Sequence, residues 1–336
     1  MAKRLTFGVD IGGINSAFGL VDEQGETFGE GGISTAAYPN FDDYPSYIRD
    51  LSQAMRSLLA ELDFEYELVG IGVGAPNASF QSGMIEQPAN LWKYNDSNVG
   101  LNENDRLFTF VEDLKKEFPE VEYIAITNDA NVATIGEMMF GNARGMRDFI
   151  MVTLGTGLGS GFVANGELIY GHDGFAGELG HVIVERGGRV CGCGRRGCLE
   201  TYVSATGIKR TAFDLMAQMR EPSELRSIPF SDMDSYKVFK AAQSGDPIAL
   251  EAFRFTGEML GRALADVVTI TSPEAIIIFG GLAKSGDLIF EPTKRYMEEN
   301  MLFVYRDKVK LLPSGIQDRN IAIIGASALI WSKVNS

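Results

Sequence analysis

The residues best suited to chemistry lie in one stretch, 171–200, which contains all three cysteines and both histidines of the chain. Cys191 and Cys193 are separated by a single glycine, Cys198 follows them, and His181 precedes them. Thiolate and imidazole are the ligands that Zn²⁺ prefers, and Cys₃His is a tetrahedral structural set. The intervening glycines let the backbone turn tightly, so three sulfurs from one loop can converge on one ion. The spacing therefore predicts a structural zinc site formed by these four side chains.

Three other interpretations of the cysteines remain open on the sequence. A disulfide between Cys191 and Cys193 would close a small, strained ring and leave Cys198 unpaired. Three separate buried cysteines would act as small hydrophobic residues, although glycine- and arginine-rich flanks are not typical of a core. A surface loop with redox chemistry is the third alternative. The clustering of every soft ligand in the chain at this spacing favours zinc.

Two glycine-rich turns, DIGG at 10–13 and GTGLGSG at 155–161, each separate two apolar segments. Such turns bring backbone N–H groups close to phosphate oxygens, although ordinary hairpin turns share the composition. Asp10 could hold Mg²⁺ near the phosphates of a nucleotide, and its alternative role is that of a turn-forming or capping residue. The chain has no GxxxxGK[ST] sequence and no protein-kinase motif set. The pair of turns therefore indicates a nucleotide site that is not a P-loop.

A polar cluster at 128–131, NDAN, follows a predicted strand and opens a predicted helix. We expect Asp129 to be a helix N-cap, a general base that accepts a proton from an attacking hydroxyl, or both. Phosphoryl transfer needs mainly positioning and charge stabilisation, with one carboxylate near the nucleophile. Amide, carboxylate and imidazole groups together can bind several sugar hydroxyls, whereas their alternative roles are solvated carboxylates and a satisfied histidine. The candidates for sugar binding are Asn128, Glu178, His181 and Glu200.

The composition is that of a globular protein, and a length of 336 residues predicts two domains. A net charge of −15 argues against a broad nucleic-acid or membrane surface, but it does not exclude a small polyanion held by backbone N–H groups and a metal. No apolar run approaches the roughly 20 residues that span a bilayer. The N-terminus leads directly into a strand pattern without a signal peptide, and the few cysteines fit a reducing compartment, so we expect a cytoplasmic protein.

Strands alternate with helices along the chain, which predicts an α/β fold with largely parallel sheets. Residues 5–26 and 149–167 share one plan of strand, glycine turn, strand and polar turn, which predicts two halves of similar build that face each other. The predicted strands are 4–10, 17–21, 67–75, 121–127, 149–154 and 275–279. The predicted helices are 43–62, 104–118, 132–140, 206–219, 247–270 and 325–333.

Several motifs together resemble those of the ROK family (repressors, open reading frames and sugar kinases) of the actin/hexokinase/Hsp70-like superfamily. They occur in the order of the family and extend to residue 281. The motifs are DIGG at 10–13, GVGAPN at 72–77, NDAN at 128–131, LGTGLGSG at 154–161, AGELGH at 176–181, CGCGRRGCLE at 191–200 and FGG at 279–281.

This resemblance implies a two-domain, actin-like (ribonuclease H-like) α/β fold with a deep interdomain cleft and a zinc-binding loop. The implied domains are 1–127 together with about 315–336, and 128–314, which would carry the zinc loop and dimerisation helices. ATP with Mg²⁺ would bind in the cleft, and its contacts would be Asp10, Gly12, Gly13, Gly155, Thr156, Gly157, Gly280 and Gly281. The hexose contacts would be Asn77, Asn90, Asn128, Asp129, Glu178, His181 and Glu200.

The implied activity is ATP-dependent phosphorylation of a hexose at its 6-hydroxyl, with glucose as the expected substrate. Asp129 aligns with the catalytic base of the family. His181, Cys191, Cys193 and Cys198 match the zinc ligands of the family, and His181 would use its second ring nitrogen for the sugar. The expected partners are the hexose, ATP and further copies of the chain in a homodimer or homotetramer, without nucleic acid or membrane.

Two alternatives stay open. The sugar could be N-acetylmannosamine, N-acetylglucosamine, fructose, mannose or allose, because loop shape decides which hydroxyl stereochemistry is accepted. The family also contains sugar-sensing repressors with a helix-turn-helix ahead of the sugar domain, but DIGG begins at residue 10 here and leaves no room for one. One departure concerns the phosphoryl donor. Ile14-Asn15-Ser16 stands where the family has Thr followed by Lys, so Asn15 or Ser16 would have to replace a hydroxyl and a cation.

Overall fold

The structure is a computed structural model, and it describes residues 2–88, 90–95, 98, 102, 106–316 and 320–334. The chain forms two compact units. The first unit comprises Met1–Gly145, Tyr170–Ala176 and Gly315–Ser336, and the second comprises Met146–Ile169 and Gly177–Ser314. Each unit has its own hydrophobic core.

The first unit contains a five-stranded sheet in the order β3-β2-β1-β4-β7. β1, β2 and β3 form an antiparallel meander, whereas β4 and β7 run parallel to β1. The strands of this sheet are β1 (Lys3–Ile11), β2 (Asn15–Val21), β3 (Thr27–Ser34), β4 (Tyr66–Gly74) and β7 (Tyr123–Thr127). A separate short pair consists of β5 (Ile85–Glu86) and β6 (Leu107–Phe108). The helices are α1 (Tyr44–Ala60), α2 (Phe110–Glu117), α3 (Asp129–Phe140) and α8 (Ile321–Val334).

The second unit repeats this plan, with a five-stranded sheet in the order β10-β9-β8-β11-β12. β8, β9 and β10 are antiparallel, and β11 and β12 run parallel to β8. Its strands are β8 (Phe149–Leu154), β9 (Leu158–Ala164), β10 (Glu167–Leu168), β11 (Ala275–Phe279) and β12 (Lys310–Pro313). Its helices are α4 (Ala205–Gln218), α5 (Ser235–Gln243), α6 (Pro247–Thr271) and α7 (Asp287–Asn300). The common order shows that the two halves have the similar build that the sequence repeat predicts, and each glycine turn closes the central hairpin of its sheet.

In the first unit, α8 packs so closely on the sheet that its backbone contacts the backbone of the strands. A Cβ at Gly8 would lie 1.8 Å from the carbonyl oxygen of Ile323, and one at Gly72 would lie 1.8 Å from that of Ala326. These strand positions therefore tolerate only glycine, because any side chain would displace the helix. Helix α3 also packs against α8. This packing explains why the first unit extends to Gly145, whereas the predicted domain boundary lies at residue 127.

In the second unit, the long helix α6 has a complete N-terminal cap. The carboxylate of Asp246 accepts hydrogen bonds from the backbone N–H groups of Ile248 and Ala249, both at 3.0 Å, and Pro247 occupies the first turn. Helix α7 approaches α6 closely, since a Cβ at Gly261 would lie 2.5 Å from the carbonyl oxygen of Thr293. Buried residues of both helices share one hydrophobic core with residues of β8 and β11.

Three helix starts differ from the predicted ones by three residues or more. The helix predicted at 104–118 begins at Phe110, because residues 107–108 form β6 instead; positions 104 and 105 lie outside the described residues. The helix predicted to begin at Val132 begins at Asp129, since Asn128 supplies the cap. The last helix begins at Ile321 rather than Gly325. Among the described residues, no helix is both long enough and apolar enough to cross a bilayer.

Candidate functional site

The predicted zinc ligands converge in the second unit. The ligand atoms of His181, Cys191, Cys193 and Cys198 all lie within 4.8 Å of one another. The Sγ atoms of Cys193 and Cys198 are 3.7 Å apart, as are Nδ1 of His181 and Sγ of Cys191. A disulfide needs about 2.05 Å, so the cysteines are free thiols. Tetrahedral bonds of about 2.3 Å to sulfur and 2.0–2.1 Å to nitrogen place ligand atoms roughly 3.6–3.8 Å apart, so the cluster fits zinc.

The thiols of this cluster differ in acidity. The backbone N–H of Arg195 is the main cause that lowers the pKa of the exposed Cys193 to about 6. Burial raises the pKa of Cys191 to about 12. A thiol that resists ionisation in this way loses its proton readily only next to a cation. The arrangement thus combines one ready thiolate with a site where a divalent metal would supply the missing positive charge.

Backbone hydrogen bonds bring the cysteine loop to His181. The N–H of Leu199 donates to the carbonyl of Val182 at 2.9 Å, so Cys198 lies beside the short 3₁₀ turn 179–181 that ends at His181. Gly197 adopts φ +84°, and a Cβ there would lie 1.7 Å from the carbonyl oxygen of Glu185. A glycine is therefore required where the loop passes that segment.

Glu200 joins the cysteine cluster to the second glycine turn. Its Oε2 accepts a hydrogen bond from the backbone N–H of Leu158 at 3.1 Å, and its Oε1 lies 3.7 Å from Sγ of Cys191. A Cβ at Gly157 would lie 2.2 Å from Oε2 of Glu200. The turn must therefore be glycine at this point to admit the carboxylate.

The N-terminus of α4 also contacts the second turn. Ser204 caps this helix by accepting a hydrogen bond from the N–H of Gly207 at 2.9 Å. The N–H of Ala205 donates to the carbonyl of Gly155, and the hydroxyl of Thr206 donates to that of Thr156, both at 2.9 Å. A cavity of about 270 Å³ lies between the cysteine loop, the turn and the start of α4. A helix N-terminus beside a glycine turn favours anionic ligands.

The second turn presents two unused donors. The N–H of Gly155 donates to the carbonyl of Gly157 at 3.0 Å, which closes the turn. Within the described chain, the N–H groups of Thr156 and Gly157 have no acceptor. Two successive free N–H groups of this kind form an anion-binding concavity.

The predicted nucleoside contacts lie close to this turn. Gly280 adopts φ +109°, and a Cβ there would lie 2.4 Å from the carbonyl oxygen of Leu154, the residue that precedes Gly155. Gly281 lines a separate cavity of about 290 Å³ together with Tyr236 and Phe239 of α5. These two aromatic side chains carry no signal in the sequence, in which no element is predicted at 235–243.

The first glycine turn has the same features in the first unit. The N–H of Gly12 donates to the carbonyl of Asn15 at 3.0 Å, whereas the N–H groups of Gly13 and Ile14 have no acceptor among the described residues. Asn90 lies beside this turn, since a Cβ at Gly13 would be 3.3 Å from Cβ of Asn90. Asp10 is half-buried, burial raises its pKa, and no donor or cation in the described chain contacts its carboxylate. A half-buried carboxylate to which no described residue donates fits a ligand for Mg²⁺.

The structure excludes Ser16 as a phosphate contact that could replace the threonine and lysine of the family pattern. The hydroxyl of Ser16 is buried and lies 2.7 Å from the hydroxyls of Thr35 and Tyr47, so it does not face the turn's open side. Asn15 is exposed, and the Ile14 side chain is 72% exposed. The turn therefore offers a phosphate backbone N–H groups and no cationic side chain of its own.

Asn128, rather than Asp129, is the N-cap of α3. Its Oδ1 accepts a hydrogen bond from the N–H of Asn131 at 2.8 Å. Asp129 occupies the first helical position, and its side chain is exposed. The prediction that Asp129 caps the helix is wrong because the chain leaves the extended conformation one residue earlier.

The remaining predicted sugar contacts are polar and accessible in both units. Asn77 adopts φ +55°, a conformation that asparagine tolerates, and its Nδ2 donates to the carbonyl of Gln87 at 3.2 Å. Glu178 is exposed. The structure thus brings Asn90 to Gly13 and Asn128 to Asp129 within the first unit. Within the second unit it brings together His181, the cysteines, Glu200 and the second turn.

Comparisons with known proteins identify the family of the chain. The model of the ROK family matches residues 6–333. The chain is 32% identical over 340 residues to a glucokinase of Halalkalibacterium halodurans, covering 100% of this chain and 98% of that protein. It is similar to the crystal structure of a ROK family glucokinase from Streptomyces griseus in complex with glucose and AMPPNP, with a TM-score of 0.75, 26% identity and coverage of 97% and 98%.

A third comparison concerns the fold alone. A ROK family transcriptional regulator, a homologue of the E. coli MLC protein, has a TM-score of 0.83 at 23% identity and covers 98% of this chain, with 78% of its own length matched. Two sheets of one order, each with a glycine turn in its central hairpin, define an α/β protein of the actin/hexokinase-like superfamily. The chain belongs to the ROK family.

Proposed function

We propose that this protein is a glucokinase, which transfers the γ-phosphoryl group of ATP to the 6-hydroxyl of glucose. The observation that carries the proposal is the 32% identity to a glucokinase over the full length of both chains. Such a reaction requires a carboxylate near the attacking hydroxyl, polar groups for the sugar and donors for the phosphates. The chain offers the exposed Asp129, the polar side chains around Glu200, and two pairs of backbone N–H groups, one in each glycine turn.

The donor contacts we propose are the two glycine turns. Phosphate oxygens would accept hydrogen bonds from the free N–H groups of Gly13 and Ile14 in the first unit and of Thr156 and Gly157 in the second. Asp10 would hold Mg²⁺, which neutralises phosphate charge when bound. Gly12 allows the first turn to close, and Gly280 and Gly281 would border the adenosine, with Tyr236 and Phe239 available as apolar faces for the purine.

The hexose contacts we propose are the predicted polar side chains. Asp129 would accept the proton of the 6-hydroxyl as its oxygen attacks the γ-phosphorus and the bond to ADP breaks. Within the second unit, His181 directs Nδ1 towards the cysteines, which leaves Nε2 for a sugar hydroxyl. The full set is Asn77, Asn90, Asn128, Asp129, Glu178, His181 and Glu200.

The metal we propose for the cysteine cluster is a structural zinc ion bound by His181, Cys191, Cys193 and Cys198. Bound zinc would stabilise the loop and fix the ring of His181. We further propose a cytoplasmic protein that assembles as a homodimer or homotetramer through the helices after the cysteine loop. Sedimentation at several concentrations tests the assembly.

A coupled ADP-release assay tests the activity. The purified protein, with MgATP in excess, is given glucose, mannose, fructose, allose, N-acetylglucosamine and N-acetylmannosamine in separate reactions. The proposal expects the highest kcat/KM with glucose. A higher value with another sugar would reassign the substrate within the same enzyme class.

A sugar-sensing regulator is the second candidate, because the fold is shared with a transcriptional regulator at a TM-score of 0.83. Titration calorimetry with the same sugars separates the two functions. Sugar binding without any phosphate transfer would support the regulator, whereas turnover supports the kinase.

A further inference from the structure

Three buried hydroxyls lie beneath the first glycine turn, and we call them the hydroxyl cluster. Oγ of Ser16 lies 2.7 Å from Oγ1 of Thr35 and 2.7 Å from Oη of Tyr47. The three residues are 1%, 3% and 0% exposed. They are too buried to touch a ligand, and the proposed chemistry makes no use of them.

The cluster connects the turn to three elements of the first unit. Ser16 stands opposite Ile11 in the register of β1 and β2, directly after the turn. Thr35 follows β3, and Tyr47 lies on α1. A second anchor lies next to the cluster, because the N–H of Ala36 donates to the carbonyl of Ile14 at 3.0 Å. The turn is thus held from below by side-chain hydroxyls and at its tip by one backbone hydrogen bond.

The side chains of the turn leave its backbone as the main contact for an anion. Ile14 is apolar and 72% exposed, and Asn15 is neutral. The N–H groups of Gly13 and Ile14 are the free donors, and a hydrogen bond to a charged acceptor depends strongly on direction and distance. Any loosening of the turn would therefore weaken phosphate binding more than in a turn that also carries a lysine.

We propose that Tyr47 and Ser16 are positioning residues for the phosphoryl donor. Their hydroxyls hold the turn in the conformation that keeps the N–H groups of Gly13 and Ile14 free for phosphate. The inference rests on the proposed function in one respect, namely that the ligand of the turn is a nucleoside phosphate.

The test compares Tyr47→Phe and Ser16→Ala with a matched control, Tyr38→Phe. Tyr38 packs edge-on against the ring of Tyr47 at 5.6 Å, but its hydroxyl donates to Asp50 at 2.6 Å and not to the cluster. The readouts are the Kd of MgADP by calorimetry, the KM values of MgATP and glucose, and kcat. We expect Tyr47→Phe and Ser16→Ala to raise Kd and the KM of MgATP about five-fold or more, the loss expected for weakened hydrogen bonds to a charged ligand. In both variants the KM of glucose should stay within about two-fold of the parent value. All measured constants of the control, Tyr38→Phe, should stay within the same range.

A rescue experiment separates positioning from general loosening of the fold. Asn15→Lys introduces a flexible cation that needs no exact amide geometry, so it should recover most of the lost MgADP affinity in the Tyr47→Phe background. If Tyr47→Phe does not fold, Ser16→Ala carries the test, because it removes the contact between Ser16 and Tyr47 together with that between Ser16 and Thr35.

The outcomes distinguish this inference from the proposed function. An unchanged Kd of MgADP in a folded Tyr47→Phe or Ser16→Ala variant overturns the inference, as does a parent protein that binds no MgADP. The expected Kd pattern without phosphorylation of any sugar would leave the inference standing and refute the kinase.

Discussion

The carboxylate of Glu200 accepts a hydrogen bond from the backbone N–H of Leu158 at 3.1 Å, and its other oxygen lies 3.7 Å from Sγ of Cys191. One side chain therefore contacts both a predicted metal ligand and the first residue of β9, which lies within the second glycine turn. Glu200 is also a proposed ligand of a sugar hydroxyl. Its carboxylate would then be oriented for the sugar by contacts with both the cysteine loop and the second turn.

Replacing Glu200 by alanine should weaken hexose binding and disturb the second turn. The N–H of Leu158 would lose its acceptor, and a charged hydrogen bond to the hexose would be lost, so we expect the KM of glucose to rise roughly ten-fold or more. Glu185→Ala, an exposed glutamate of the same loop region, is the control and should behave like the parent. Steady-state kinetics measures both, and equal KM values in the two variants would exclude a role for Glu200 in hexose binding.

Removing the metal should destabilise the second unit. Cys193→Ser and Cys198→Ser each delete one ligand, and a three-ligand site binds structural zinc weakly. We expect both variants to lack stoichiometric zinc by elemental analysis and to melt at least roughly 5 °C below the parent, the shift that a loss of about 2 kcal/mol gives in a unit of this size. A chelator should lower the melting temperature of the parent but leave the variants unchanged. Parent-like melting of either zinc-free variant would contradict the structural role.

The substitution Asp129→Asn should separate chemistry from folding. The exposed side chain does not cap α3, so the melting temperature should change little, whereas loss of the general base should lower kcat by about 10²–10⁴-fold. Asn128→Ala is the complementary change, because it removes the observed cap and should cost about 1 kcal/mol of stability. Calorimetric melting and turnover of both variants test the assignment, and a turnover of Asp129→Asn near that of the parent would remove Asp129 from the catalytic role.

The ionised carboxylate of Asp10 should lower the stability of the protein at neutral pH, although the same charge is needed to bind Mg²⁺. Burial raises its pKa, so the folded state binds this proton more tightly than the unfolded chain, and stability falls as the pH rises through the raised pKa. Asp10→Asn should therefore melt at a higher temperature than the parent at pH 7 without metal, and the difference should vanish at acidic pH. The same variant should lose Mg²⁺-dependent nucleotide binding. A parent that is the more stable of the two at neutral pH would show that the carboxylate has a stabilising partner.

The sequence by itself determined the ligand chemistry and much of the element order. The cysteine and histidine spacing is local, and a loop of ten residues with several glycines has few ways to present its thiols other than together. The repeat of strand, glycine turn and strand likewise predicts two similar sheets, because hydrophobic period and turn residues act within each hairpin.

The tertiary structure alone decided which polar groups are free. Ser16 looks available for a phosphate in the sequence, yet helix α1 brings Tyr47 to its hydroxyl and buries it. Asn128 and Asp129 are both good capping residues, and only the point where the chain turns from strand to helix assigns the cap to Asn128. Glu200 meets Leu158 from 42 positions away along the chain. Such contacts depend on how elements pack across long sequence separations, which local residue preferences do not encode.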